Sequence, residues 1–198
     1  ILTVRGTDLL DSAELSLPGA HNVENALAAA GAALSFGVEV EPIREALRTF
    51  GGLEHRIEAA GVHRGIRWYN DSKATNPHAG EAALRAFDQP ITLLCGGSEK
   101  GSDFSEWARL TAGRVAHAIC YGQTGPTIAN ALEGYVPVIQ VDTLSDAIDA
   151  ALRVTPEDGI VILSPVCASY DQFQSYEHRG REFKALVALT GDAALALA

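Results

Sequence analysis

The densest chemistry in this 198-residue chain lies in one stretch, Asn70-Asp71-Ser72-Lys73-Ala74-Thr75-Asn76-Pro77, which gathers amides, a carboxylate, an ammonium and two hydroxyls. Asp, Ser, Thr and Asn all satisfy the free amides of a helix start, and Pro77 marks such a start, so capping explains part of the octet. Lys73 is left over by that reading. A lysine just ahead of a helix N-terminus opposes the helix dipole, a small cost that makes sense where an anion shares the place.

Five other segments carry candidate groups. In Gly96-Gly97-Ser98-Glu99-Lys100-Gly101 the glycines let backbone approach a ligand and Lys100 supplies a countercharge. An ordinary glycine turn with a solvated lysine explains the same residues, and the spacing G-x-x-x-x-G-K-[ST] of a phosphate loop is absent from the whole chain. In Ser164-Pro165-Val166-Cys167-Ala168-Ser169-Tyr170-Asp171, Ser169 either caps the following helix or, with free backbone amides, grips a carboxylate. Cys167 has apolar neighbours and no histidine in its motif, so it reads as packing. Tyr176-Glu177-His178-Arg179-Gly180 reads as a solvated helical face with a glycine interruption. Asn22 and Asn25, in Gly19-Ala20-His21-Asn22-Val23-Glu24-Asn25, share a helical face. Their amides offer the donor and acceptor that a purine edge needs, or simply cap the helix. In His55-Arg56-Ile57-Glu58 the guanidinium of Arg56 can bond two phosphate oxygens at once.

Positioning these groups requires a scaffold, and the pattern supplies one. Residues 22–36 form an alanine-rich helical stretch; Pro42 opens a second helix that runs to Phe50 and stops at Gly51-Gly52, the expected domain boundary. Residues 1–4 and 14–17 read as two short strands. Beyond the glycines, 57–60 and 66–69 flank a turn at 61–65. Apolar runs at 91–95, 115–121, 136–141 and 160–163 then alternate with helical windows at 104–112, 127–132, 144–152 and 172–189. The runs are continuously apolar rather than alternating, as parallel strands covered on both faces require. The expected fold is therefore α/β, a doubly wound, mostly parallel sheet, with ligands beyond the carboxyl ends of its strands. Those ends fall just before the loops named above.

Composition narrows the partners. Lys and Arg number 15 against 25 Asp and Glu, a net charge of −10, which disfavours nucleic acid. No apolar window approaches the roughly 18 residues of a membrane span. Cys95, Cys120 and Cys167 are odd in number and set in apolar runs, which suits reduced thiols in a cytoplasmic protein and offers no metal spacing. The chain has no methionine, and its first residues lack the pattern of a secretion signal, so a piece of a longer chain is expected. Against this negative background the cations of the loops must build a local positive site for anionic small molecules, a nucleotide polyphosphate and a carboxylate.

Taken in order, G-A-H-N-V-E-N (19–25), H-R-I-E (55–58), N-D-S-K-A-T-N-P (70–77), G-G-S-E-K-G (96–101) and S-P-V-C-A-S-Y-D-Q-F (164–173) resemble the successive motifs of the Mur ligases. Their order and spacing are most similar to the branch that adds D-glutamate, and the octet is the most specific of them. The resemblance implies a three-domain cytoplasmic enzyme of peptidoglycan synthesis. Residues 1–51 would be the C-terminal part of the central ATP-binding domain and 52–198 the Rossmann-like Mur ligase C-terminal domain. The implied reaction is ATP-driven: the L-alanyl carboxylate of UDP-N-acetylmuramoyl-L-alanine is phosphorylated, and the amine of D-glutamate attacks the acyl phosphate to form an amide. The phosphate loop, the UDP-sugar site and the Mg2+ ligands would lie upstream, and this chain alone would be inactive. It would act as a monomer on these small molecules, with neither nucleic acid nor membrane as partner.

Carried over by position, the resemblance implies that Asn25 meets adenine, Arg56 the nucleotide phosphates or ribose, and Asp71 the ribose hydroxyls. Lys73 would be the catalytic cation, near the phosphates or the developing intermediate. Thr75, Lys100 and Ser169, with the amides of Tyr170 and Tyr176, would receive the D-glutamate carboxylates. Two departures stand out: tyrosines at 170 and 176 replace an aliphatic residue and a phenylalanine, and Glu54 replaces a proline ahead of His55-Arg56. The alternatives are a sister ligase adding another amino acid, a folylpolyglutamate-type synthetase, and a nucleotide-binding module without chemistry.

Overall fold

The computed structural model describes residues 1–17, 20–98 and 100–195, which divide into two compact units at Leu53/Glu54.

In the first unit, strands β1 (Leu2–Val4) and β2 (Thr7–Leu10) pair antiparallel across Arg5-Gly6. Both turn residues have positive φ, 50° and 79°, the conformation whose twist matches a tight hairpin. Helices α1 (Ala20–Ser35) and α2 (Val40–Thr49) follow, and Leu2, Leu9, Leu10, Ala30 and Ile43 form the small core. The expected strand at 14–17 does not form; the second strand lies at Thr7–Leu10 instead. Asp11 is the reason. Its carboxylate accepts from the Ala13 amide while Glu14 reaches back to the Asp11 amide, a reciprocal cap that winds Ser12–Glu14 into a 3-10 turn.

The second unit is a sheet wound on both faces. Strands β3 (Glu58–His63) and β4 (Ile66–Asn70) form an antiparallel hairpin. Then come α3 (Pro77–Arg85), β5 (Ile91–Gly96), α4 (Ser105–Thr111), β6 (Val115–Tyr121), α5 (Gly125–Leu132), β7 (Val138–Gln140), α6 (Leu144–Val154), β8 (Ile160–Leu163) and α7 (Tyr176–Leu195). The strand order is β3-β4-β8-β5-β6-β7, with every pair from β4 onward parallel. Alternate residues of β5 separate the two cores: Ile91, Leu93 and Cys95 meet α3, α4 and α5, whereas Leu94 meets α6 and α7. Strands β5 and β8 are buried at every residue, which is why their sequences run apolar without alternation.

This winding decides where loops gather. After β8 the chain turns to the α7 face, while both neighbours of β8, β4 and β5, send it to the opposite face. Diverging connections open a crevice at the carboxyl ends of such strands. The loops that follow β4, β5 and β8 there include 71–76, 97–98 with 100–104, and 164–175.

Gly96 closes β5 at φ 140°, where an added Cβ would collide with the Tyr121 carbonyl oxygen of β6. Gly96→Ala should lower stability by about 3 kcal/mol or more. Gly113 also has positive φ, 74°, but faces open space, so Gly113→Ala should cost only about 1–2 kcal/mol, the left-handed backbone penalty. Urea unfolding of the two variants measures the difference, and equal losses would mean the strand end can yield.

Candidate functional site

The octet after β4 divides its labour. Asn76 caps α3 by accepting from the Ala79 amide at 2.9 Å, with Pro77 in the first turn. Capping therefore uses only the end of the octet. Asn70, Asp71 and Ser72 point inward and are 0%, 5% and 0% exposed. Asn70 is a junction: its Oδ1 accepts from the Ser72 amide, and its Nδ2 donates to Glu58 Oε2 at 3.0 Å and to His55 Nδ1 at 2.9 Å. Because Asn70 donates there, His55 Nδ1 must be an acceptor, which puts the ring proton on Nε2. Lys73 and Thr75 are half-buried, and the Lys73 ammonium lies 3.9 Å from the centre of the Tyr176 ring.

Asp71 is held by Ser164 Oγ, which donates to Oδ2 at 2.8 Å, and by the Ile57 amide, which donates to Oδ1 at 3.3 Å. Burial pushes its carboxyl up to about 7; the Ser164 and Ile57 bonds and the charges of Arg56 and Arg179 pull it back only in part. The Asp71 bond also secures a strained segment. His55 and Ile57 have φ of 67° and 45°, uncommon for any residue with a side chain and rare for a β-branched one. The His55 carbonyl accepts from the Lys73 amide at 3.0 Å, so both ends of the segment are tied to the octet. Arg56, between them, is exposed.

The loop after β8 is joined to the octet by Arg179, which is 0% exposed. Its guanidinium donates to Ser72 Oγ (2.9 Å), Ser72 O (2.9 Å), Cys167 O (3.1 Å) and Ala168 O (3.1 Å). The solvated face expected at 176–180 is thus corrected. Arg179 and Gly180 are buried, because α7 turns this side toward the sheet and the loops rather than toward water. The glycine is a requirement: a Cβ at 180 would overlap the His55 ring. A signal for this was present in the apolar stripe of α7, since Phe183 and Val187, both fully buried, continue at four-residue spacing back to Arg179.

The glycine loop after β5 joins the same edge. The Ser98 amide donates to Ala168 O at 2.9 Å, and the Tyr170 amide donates to Ser98 Oγ at 3.2 Å. Gly97 permits the approach, for its Cβ would strike the Ala168 carbonyl. Ser169 is 2% exposed, Tyr170 is 71% exposed, Tyr176 is half-buried and Lys100 is exposed. Thr124 Oγ1 donates to Gly97 O at 3.0 Å, and the Gln123 amide to Asp171 Oδ2 at 3.1 Å, so the loop after β6 closes the ring. Of the expected site residues, Asp71, Lys73, Thr75, Lys100, Ser169 and Tyr170 thus belong to the loops of one sheet edge, Arg56 to the segment tied to them, and Tyr176 to the start of α7. Asn25 is exposed on α1 of the first unit. Gly19 and Glu99, each within one of the motifs, lie outside the described residues.

Glu54, His55 and Glu58 bring metal-ligating atoms together. Lys184 answers them instead: its ammonium donates to Glu54 Oε1 and Glu58 Oε1, each at 2.8 Å. With both carboxylates already engaged by Lys184 and His55 Nδ1 taken by Asn70, the ligand atoms of the cluster are occupied by the protein's own donors. A groove of about 710 Å³ beside Asp88, Pro90 and Arg114 lies at the opposite, amino-terminal edge of the sheet and shares no residue with these loops.

Comparison with known proteins follows the same outline. The family model described as Mur ligase, glutamate ligase domain, matches residues 55–167. The chain is 46% identical over 182 residues to the UDP-N-acetylmuramoylalanine–D-glutamate ligase of Caldicellulosiruptor bescii, covering 91% of this chain and 40% of that protein. It spans, then, well under half the length of this relative. Among solved structures it resembles the UDP-N-acetylmuramate-alanine ligase of Thermotoga maritima, with a TM-score of 0.63 and 20% identity over 85% of this chain and 38% of that one. It also resembles the bifunctional folylpolyglutamate synthase/dihydrofolate synthase of Yersinia pestis complexed with AMPPNP and Mn ion, with a TM-score of 0.60 and 19% identity over 87% of this chain and 40% of that one. Likeness at such identities establishes the fold alone.

Burial of Asp71 makes stability fall with pH. The folded chain binds this proton more tightly than the unfolded chain, so stability declines as pH rises from the ordinary value of 3.8 through about 7, then levels. Asp71→Asn, permanently neutral, should shrink the loss of stability between pH 5 and pH 8 by ~2 kcal/mol, at about 1.4 kcal/mol per pH unit across the affected window. Urea unfolding of both proteins at the two pH values tests this; an unchanged loss would mean the carboxyl ionises normally despite its burial.

Proposed function

This chain belongs to the Mur ligase family, whose glutamate ligase domain it carries, and from that premise we propose that it is the amino-acid-receiving part of an ATP-dependent ligase. The proposed reaction adds D-glutamate to UDP-N-acetylmuramoyl-L-alanine in cytoplasmic peptidoglycan synthesis. The observation that carries this reading is the gathering of Lys73, Thr75, Ser169 and Lys100 on the loops of one sheet edge, around a frame of buried polar groups. A dicarboxylate amino acid needs cations and donors at more than one point, and this edge offers both. We assign residues 1–51 to the end of the central ATP-binding domain and 52–198 to the C-terminal domain.

In this proposal ATP phosphorylates the L-alanyl carboxylate, and the nitrogen of D-glutamate displaces phosphate from the acyl phosphate. Charge builds on phosphoryl oxygens, so the protein's task is to place and stabilise it. Lys73 supplies a fixed positive charge there. Thr75, Lys100, Ser169 and the amides of Tyr170 and Tyr176 hold the two carboxylates of D-glutamate. Asn25 is assigned to adenine and Arg56, exposed and free to reach outward, to the phosphates or ribose. Asp71 is assigned to the ribose region; its engaged oxygens make it an anchor of the Arg56 segment as well. Mg2+ supports phosphoryl transfer by neutralising phosphate charge. Its ligands are assigned to the upstream chain, because the cluster at Glu54, His55 and Glu58 is answered by Lys184.

Two measurements test the proposal. The 198-residue chain alone should hydrolyse no ATP; hydrolysis dependent on D-glutamate would place the whole reaction within it. In a complete ligase bearing this segment, Lys100→Ala should raise KM for D-glutamate at least about tenfold, as loss of a charge-assisted bond implies, with KM for ATP little changed. Equal effects on both substrates, or a preference for another amino acid across a panel, would move the assignment to a sister ligase.

A further inference from the structure

Lys73 is a long side chain at the rim of the site, yet its ammonium has a defined seat. It lies over the Tyr176 ring, 3.9 Å from the centroid, well within the roughly 6 Å over which a ring face attracts a cation. The seat is braced on both sides. Behind the lysine, its own amide donates to His55 O at 3.0 Å. Behind the tyrosine, the Tyr176 carbonyl accepts from Ser72 Oγ at 2.8 Å, and that hydroxyl accepts from Arg179 Nε at 2.9 Å. The His55 ring stands edge-on to the Tyr176 ring, with centroids 6.0 Å apart and planes at 86°. Thus His55 and Ser72, adjacent to the buried junction at Asn70, fix both the lysine backbone and the aromatic face. The Glu177 carboxylate, next along α7, also feels the Lys73 charge.

We propose that the Tyr176 ring is a positioning residue for Lys73, holding its ammonium in one place at the sheet edge before any substrate arrives. The reading rests on the function proposed above, in which Lys73 stabilises phosphoryl charge. A ring face attracts a cation, so the arrangement suits a fixed positive charge. It also separates two contributions of residue 176: its backbone amide is assigned to D-glutamate, whereas its ring serves Lys73. The phenolic oxygen is not needed for this, since phenylalanine presents a comparable face.

The chain's lysines, Lys73, Lys100 and Lys184, allow a direct test on the 198-residue protein. Acetic anhydride labels free amines, and peptide mass spectrometry reads each lysine separately. Tyr176→Leu should raise the labelling rate of Lys73 about fivefold, the scale of a partly desolvated cation–π contact. Tyr176→Phe should leave the rate near that of the parent. Lys100 should be unchanged in both, and so should Lys184, whose pairing with Glu54 and Glu58 reports whether α7 stays seated. An unchanged Lys73 rate in Tyr176→Leu overturns the proposal, as does a phenylalanine variant that behaves like the leucine one. A rise shared by Lys184 also overturns it, because the ring would then act by seating the helix. In a complete ligase, Tyr176→Leu should lower kcat by a similar factor, with recovery in Tyr176→Phe. Labelling as expected with no loss of turnover would leave the seat standing and overturn the catalytic assignment of Lys73.

Discussion

A guanidinium with no exposed surface holds the candidate site together. Apart from the Ser98–Ala168 bridge, the segments 71–76 and 164–175 follow parallel strands without joining a ladder, so their buried carbonyls draw on donors from elsewhere. Arg179 supplies them to Ser72, Cys167 and Ala168 and also meets the Ser72 hydroxyl. The fork geometry matters, since a lysine in its place, with three donors on one nitrogen, could not serve these four acceptors. The same charge helps to restrain Asp71, although burial dominates there and keeps that carboxyl at about 7. One buried cation thus substitutes for secondary structure where the chain must be irregular to present functional groups.

That dependence explains what could be read from the sequence and what could not. The strands 91–96, 115–121 and 160–163 were legible because covering both faces of a parallel sheet demands continuous apolar runs. The octet was legible because so many different polar types in one loop exceed what a helix cap uses. Arg179 was not, because a charged residue beside histidine and glutamate looks solvated unless the stripe of Phe183 and Val187 is extended backward. Glu14–Leu17 misled for a local reason: Asp11 and Glu14 cap each other, a pairing three residues apart that overrides a short apolar alternation.

The segment Glu54–Glu58 joins these themes. Its positive-φ residues His55 and Ile57 are tolerable because surrounding bonds over-determine them: Lys73 on the His55 carbonyl, Asp71 on the Ile57 amide, and Glu58 on the His55 amide at 3.0 Å. Gly180 must lack a side chain for the His55 ring to fit, so a helix-weakening residue in α7 is explained by a ring on another element. Glu54 is engaged by Lys184 of α7. An ion pair thus takes part in fixing the segment.

The inventory of this edge also bears on the kind of chemistry it suits. Cys95 and Cys120 face one another with sulfurs 3.7 Å apart, and the Cys120 thiol together with burial pushes Cys95 above its ordinary pKa. The Cys167 sulfur lies 3.2 Å from Thr124 Oγ1 within the core. Cys95, fully buried and with its pKa raised, is not an activated thiolate of the sort that attacks a substrate. What the loops present toward solvent is different in character: an ammonium seated on an aromatic ring, a second lysine beside glycines, and a guanidinium on a strained segment. Fixed cations stabilise charge as it develops and need no covalent step of their own. In a protein of net charge −10 such a cluster forms only where the fold enforces it, and the carboxyl edge beside β8 is where the diverging connections make that possible.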